Sequence, residues 1–145
     1  LARGRRQGYL DGLQIAGLPV DERLIVETLL TRESGAEAMS RLLQMPNSPT
    51  GVFTANDVSA LGAMQEVMQR GGHIPDDISL VGFDDIALAA QTIPALTTIA
   101  QPKTLLGQTA VELLLARIEH ADEWVPQEIR LSCELIVRGS TAPLL

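Results

Sequence analysis

Residues 51–57 read Gly51-Val52-Phe53-Thr54-Ala55-Asn56-Asp57, and the same grammar returns in Ile78-Ser79-Leu80-Val81-Gly82-Phe83-Asp84-Asp85. Each is a short, nearly continuous apolar run that ends on a pair of polar side chains. An uninterrupted run of this length, carrying Val, Ile and Phe, is the pattern of a strand covered on both faces. Asn56-Asp57 opens a helical stripe at once: Ala60, Leu61, Met64, Val67 and Met68 share one side, and Gly71-Gly72 closes it. A strand, a helix and a second strand in direct succession predict a parallel sheet with crossover helices.

The alternation continues outward in both directions. Upstream, Arg5–Ala16 reads as a helix with Tyr9, Leu13 and Ala16 on one face, ended by Gly17 and Pro19. Leu24–Leu30, rich in Ile and Val, reads as a strand. A helix from Ser34 buries Ala38, Met39, Leu42 and Leu43 and stops before Pro46. Downstream, Leu96–Ala100 is a further strand. Leu106, Ala110, Leu113, Leu114 and Arg117 mark an amphipathic helix over Thr104–His120, and Glu128–Val137 reads as a closing strand. The expected fold class is α/β, with a mostly parallel sheet covered on both faces.

Composition bounds the function. The 145 residues are 46% hydrophobic but only 3% aromatic, namely Tyr9, Phe53, Phe83 and Trp124, so the core is aliphatic. Eleven basic residues against eighteen acidic ones leave a net charge of −7, a surface that repels phosphate and disfavours DNA binding by this segment. The basic cluster Arg3, Arg5 and Arg6 reads on its own as a solvated helix start. Cys133 is the only cysteine, which excludes an internal disulfide and a thiolate metal cluster. No apolar run has spanning length. A reducing, cytoplasmic setting is the expectation, with no membrane partner.

In parallel α/β sheets, ligands bind beyond the carboxyl ends of the strands. Asn56-Asp57 and Asp84-Asp85 both stand there and could face one crevice. Each pair reads equally as a helix cap, because Asn and Asp oxygens accept from free backbone N–H groups. As ligand contacts, Asn offers a donor and an acceptor, Asp offers acceptors, and an Arg offers a planar fork of donors. That chemistry suits a sugar, or a purine or nucleoside. Catalysis finds little support. Cys133 lies in an apolar strand, and His73 and His120 have no nucleophile near them in sequence. A glycosidase needs a second carboxylate across the cleft from Asp84-Asp85, and none is identifiable. Neither phosphate-loop pattern occurs. No catalytic residue, metal ligand or cofactor is expected.

Three ordered runs carry a resemblance: Thr54-Ala55-Asn56-Asp57 with Ala60-Leu61-Gly62-Ala63; Ile74-Pro75-Asp76-Asp77-Ile78 through Asp84-Asp85; and Pro94-Ala95-Leu96-Thr97-Thr98-Ile99-Ala100-Gln101-Pro102. Together with Arg5-Arg6-Gln7-Gly8-Tyr9, Glu33-Ser34-Gly35 and Val137-Arg138-Gly139-Ser140-Thr141, they resemble the LacI/GalR family of transcriptional regulators over nearly the whole chain. Ala55-Asn56-Asp57 and Leu105-Leu106-Gly107-Gln108-Thr109 are most similar to its lactose-repressor branch.

The resemblance implies a type I periplasmic-binding-protein-like core, present in part. Residues 1–101 would form the C-terminal effector-binding subdomain without its first strand. Residues 102–137 would be the helix and strand crossing back to the N-terminal subdomain, and 138–145 a C-terminal tail. It implies a small-molecule effector, a sugar or related metabolite, held by Arg5, Asn56 and Asp84. This reverses the solvated reading of Arg5. Ala36 stands where the family often has an aromatic that stacks on the ligand. The resemblance also implies a homodimer, with Leu61, Met64 and Ile93 as interface candidates or else ordinary core, and operator DNA bound only through an N-terminal headpiece absent from this chain. The fragment is expected to belong to a longer chain, to have a gap in its sheet, and to need swapping or dimerisation for stability. A solute-binding protein of a sugar transport system is the alternative.

Overall fold

The computed structural model describes residues 2–121 and 124–143. In chain order the elements are α1 (Ala2–Ile15), α2 (Arg32–Leu43), β1 (Gly51–Phe53), α3 (Asp57–Gln69), β2 (Ser79–Phe83), β3 (Thr97–Ala100), α4 (Lys103–Glu119) and β4 (Glu134–Ile136). The sheet order is β1-β2-β3-β4. The pairs β1–β2 and β2–β3 are parallel, with Val52 opposite Leu80 and Gly82 opposite Thr98. β4 returns antiparallel to β3. The predicted α/β class with a mostly parallel sheet is the observed one.

The core lies where α3 crosses β2. Leu80 alternates with half-buried Ser79 and Val81, and packs with Ala60, Ala63, Met64, Val67 and Leu96. Only this face of β2 is fully buried among the described residues, so the expected two-sided cover is met on one side.

α2 lies across α3 at two glycines. A Cβ on Gly62 would overlap the Arg32 carbonyl oxygen, and one on Gly35 would overlap that of Ser59. The approach is backbone against backbone, which no rotamer change can relieve. Gly62→Ala is expected to cost about 2 kcal/mol or more by overpacking. Gly12→Ala on α1, where a Cβ meets nothing within 4 Å, is expected to be neutral or stabilising. Urea unfolding midpoints of the two variants check the contrast.

Three expectations need correction. Leu24–Leu30 forms no strand: a 3-10 turn spans Glu22–Leu24, capped by Asp21, and the chain beyond is extended at Ile25 without a ladder. Strand propensity needs a partner edge. Here Leu24–Thr28, Leu30 and the free edge of β1 line a cavity of about 490 Å³, together with Met39 and Leu42. The predicted strand Glu128–Val137 shrinks to Glu134–Ile136, because β3 offers only Thr98–Ala100 for pairing before Pro102. Of the three candidates for a face between copies, Leu61 and Met64 are instead packed in this chain's own core, at 8% and 2% exposure. Flanked by α2 and the sheet, α3 is covered around most of its circumference. Ile93 is exposed.

The amphipathic helix is present as α4, but none of its described residues is buried, and Leu106 and Leu114 stand exposed. After β4 the chain returns to the sheet. The fully buried Ser140 hydroxyl donates to the Leu80 carbonyl (2.6 Å) and accepts from the Thr97 N–H (2.8 Å), bridging β2 and β3.

Candidate functional site

The register of the parallel strands sets the carboxyl ends of β1, β2 and β3 side by side. Thr54-Ala55, Phe83-Asp84 and Ala100-Gln101 therefore meet along one edge. Arg5, one turn into α1, reaches this edge from the side. Its guanidinium lies over the Phe83 ring, 3.9 Å from the centroid. One terminal nitrogen donates to the Ala55 carbonyl oxygen, and the other donates to Asp84 Oδ1 at 3.3 Å. The fork thus bridges the ends of β1 and β2, with the ring as its platform. A cation over an aromatic face gains further electrostatic attraction.

Gln101, at the end of β3, donates from Nε2 to the same Asp84 Oδ1 at 2.6 Å. Asp84 Oδ2 takes no hydrogen bond among the described residues, and the side chain is about a quarter exposed. The edge therefore offers a partly shielded guanidinium, an amide and a carboxylate with unused acceptor capacity. Such a set can bind vicinal hydroxyls, which donate to the carboxylate and accept from the guanidinium.

Of the three residues predicted to share the site, the structure joins Arg5 to Asp84 directly. Asn56 sits one residue beyond the Ala55 carbonyl but is engaged internally. As the N-cap of α3, its Oδ1 accepts from the Ser59 N–H (2.9 Å), and its Nδ2 donates to the Leu30 carbonyl (3.2 Å). Asn56→Ala is expected to lose about 1.5 kcal/mol of stability, and Asn56→Ser, which keeps a capping oxygen, to recover most of it. Thermal unfolding of both variants measures this.

Sequence reasoning missed two members of the edge, Phe83 and Gln101. Both stand at strand ends, so the carboxyl-end rule would have found them had it been applied to every strand. It also left Asp57 as half of a polar pair. Asp57 is fully buried. Its Oδ1 accepts from the Thr98 hydroxyl (2.5 Å) and its Oδ2 from the Ile86 N–H (2.9 Å), pinning the first turn of α3 to β3 and to the loop after β2. The carboxylate passes over Gly82, where a Cβ would overlap Oδ1.

The cavity beside β1 is a separate feature. Arg5 reaches it, but Asn56 and Asp84 do not line it, and Leu24, Ile25, Leu30, Met39, Leu42 and Val52 make its wall largely aliphatic. That lining suits apolar packing better than a polyhydroxylated ligand. No group of three or more potential metal-ligating side chains occurs among the described residues. No described helix is long and apolar enough to cross a membrane.

A family model described as a periplasmic binding protein-like domain matches residues 1–141. The chain is 43% identical over 145 residues to the HTH-type transcriptional repressor CytR of Escherichia coli (strain K12), covering 99% of this chain and 42% of that protein. It is 40% identical over 146 residues to the HTH-type transcriptional repressor PurR of Haemophilus influenzae (strain PittEE), covering 99% of this chain and 44% of the relative. It therefore spans less than half the length of these curated relatives. A solved LacI family transcriptional regulator from Enterococcus faecium, with bound ribose, superposes with a TM-score of 0.87 at 36% identity, over 98% of this chain and 52% of that one.

Proposed function

Since the chain belongs to the periplasmic binding protein-like domain family, in its LacI/GalR branch of transcriptional regulators, we propose that it is the effector-sensing and dimerising part of a cytoplasmic DNA-binding repressor. The effector is a small polyhydroxylated molecule, a sugar or a related metabolite. It lies at the carboxyl edge of the sheet and changes operator affinity through a headpiece outside this chain. The observation that carries the reading is the Arg5 guanidinium stacked on Phe83 and shared between the Ala55 carbonyl and Asp84. Arg5 and Asp84 are the principal contacts. Asn56, already engaged at both ends of its amide, adds its remaining amide hydrogen and the second lone pair of Oδ1.

Binding at this edge performs no bond chemistry, and the chain acts as a sensor and not as an enzyme. An effector that binds one arrangement of the regulator better than another shifts the equilibrium between them by that difference in affinity. Operator contact belongs to the headpiece, in keeping with the net charge of −7 here. The working unit is a homodimer, with the exposed Ile93 on the face between copies.

A solute-binding protein of a transport system would share the fold. Identity of 40–43% to repressors across 99% of the chain favours the regulator. Calorimetric titration of the full-length protein with sugars, including ribose and cellobiose, and with sugar phosphates and nucleobases tests the reading. Saturable binding that weakens operator affinity, or strengthens it, supports it. Binding with no effect on operator affinity returns the solute-binding alternative.

A further inference from the structure

The turn that presents Asp84 is conformationally expensive. Asp84 has φ 113 and Asp85 has φ 49, the only non-glycine residues with positive φ among those described. Such backbone persists where the surroundings hold it. Three side chains do so here. Arg138 donates from Nη2 to Asp85 Oδ1 at 2.7 Å and from Nη1 to the Leu96 carbonyl at 2.8 Å. Lys103 Nζ donates to the Asp85 carbonyl oxygen at 2.9 Å, and Gln101 takes the Asp84 carboxylate itself. Arg138 is mostly shielded, at 18% side-chain exposure, and its backbone N–H is tied to the Thr97 hydroxyl at 2.9 Å.

These holders are not scattered. Gln101 and Lys103 belong to the segment that leaves β3 and starts α4. Arg138 lies two residues beyond β4, where the chain comes back to the sheet. Among the described residues, every side-chain tie on the Asp84-Asp85 turn, apart from Arg5, therefore comes from one of the two junctions that flank α4 and β4.

We infer that Arg138 is a positioning residue for the effector site: by clamping Asp85 in the left-handed region against the Leu96 carbonyl, it sets the place of the Asp84 carboxylate and ties it to the chain segments on either side of α4 and β4. The clamp needs a guanidinium. One planar fork reaches a carboxylate and a carbonyl together, which an ammonium does not do in a fixed geometry. That an effector reads the placement of Asp84 rests on the proposed function. The placement itself does not.

The test uses the full-length protein and separates the two. In crystal structures, Arg138→Met is expected to move Asp85 out of the left-handed region and take Asp84 away from Arg5. Asp85→Ala removes the same ion pair while leaving Arg138 on the Leu96 carbonyl. It is expected to do the same, and it serves where Arg138→Met does not fold. Asp85→Gly also removes the ion pair, but glycine adopts positive φ unaided, so Asp84 should stay on Arg5. Arg138→Met combined with Asp85→Gly should restore the contact. An ion pair that only adds stability would leave Asp84 on Arg5 in Arg138→Met and Asp85→Ala alike. For ribose or cellobiose, whichever the wild type binds, Arg138→Met should weaken affinity about tenfold, and the double variant should recover it. If neither sugar binds the wild type, the structures still decide the placement. An Arg138→Met protein with Asp84 and Arg5 unmoved, or a double variant no better than the single one, overturns the inference.

Discussion

Arg5→Ala in the full-length protein is expected to weaken effector binding by more than about 100-fold while leaving the chain folded. Held by Ala55 and Asp84, the guanidinium keeps three of its five N–H donors for effector oxygens. A charge-assisted hydrogen bond is worth about 1.5–3 kcal/mol, and two of them made to the effector account for the factor. Arg5 side-chain exposure is 11%, so its contacts lie largely out of water. Removing it also strips the cation from the Phe83 face. The fold should tolerate the change. Asp84 remains partly exposed and can hydrate, and alanine is a better helix former than arginine for α1. Arg5→Lys should recover only part of the affinity, because a point charge cannot span Ala55 and Asp84 as a fork does. Calorimetry with the sugar panel, alongside a thermal unfolding curve for each variant, reads both sides. Full affinity in Arg5→Ala would remove the clamp from the proposed site.

Asp57→Ala is expected to be the most destabilising of the single substitutions discussed, at about 4 kcal/mol. The loss strands two buried donors, the Thr98 hydroxyl and the Ile86 N–H, each at about 1–3 kcal/mol, and opens space beneath Gly82. On the scale of a domain's total stability, about 5–15 kcal/mol, that is enough to deplete the soluble protein. Gly82→Ala should act through the same contact from the other side, since its methyl group would occupy the place of the carboxylate oxygen. Asp57→Asn keeps one acceptor and should fall between. Urea unfolding midpoints order the three. An Asp57→Ala protein as stable as wild type would show that the buried carboxylate is not the tie between α3 and β3.

These two residues mark how far the candidate site was legible. Asn56 and Asp57 sit together in the sequence, and both have a side chain fit either to cap or to bind. The structure gives the cap to Asn56 and buries Asp57, leaving neither in the open position that Asp84 occupies. The difference is set by Gly82 and Thr98, which are 25 and 41 residues further along the chain, so no local pattern contained it. The role of Arg5 was likewise open from composition, where it reads as one of three arginines at a helix start. Its contact with Phe83 and Asp84 joins residues 78 and 79 positions apart.

The opening pair of runs, Gly51–Asp57 and Ile78–Asp85, determined by themselves the α/β class, the parallel pairing of β1 with β2 and the polar groups at the carboxyl edge. These follow from period, chain direction and capping chemistry, which are local properties of the backbone. Tertiary structure alone decided that Leu24–Leu30 would not be a strand, that Leu61 and Met64 belong to the core, and which carboxylate faces outward. Each of those depends on whether another segment supplies a hydrogen-bonding edge or an apolar surface, and that partner lies far away in the sequence.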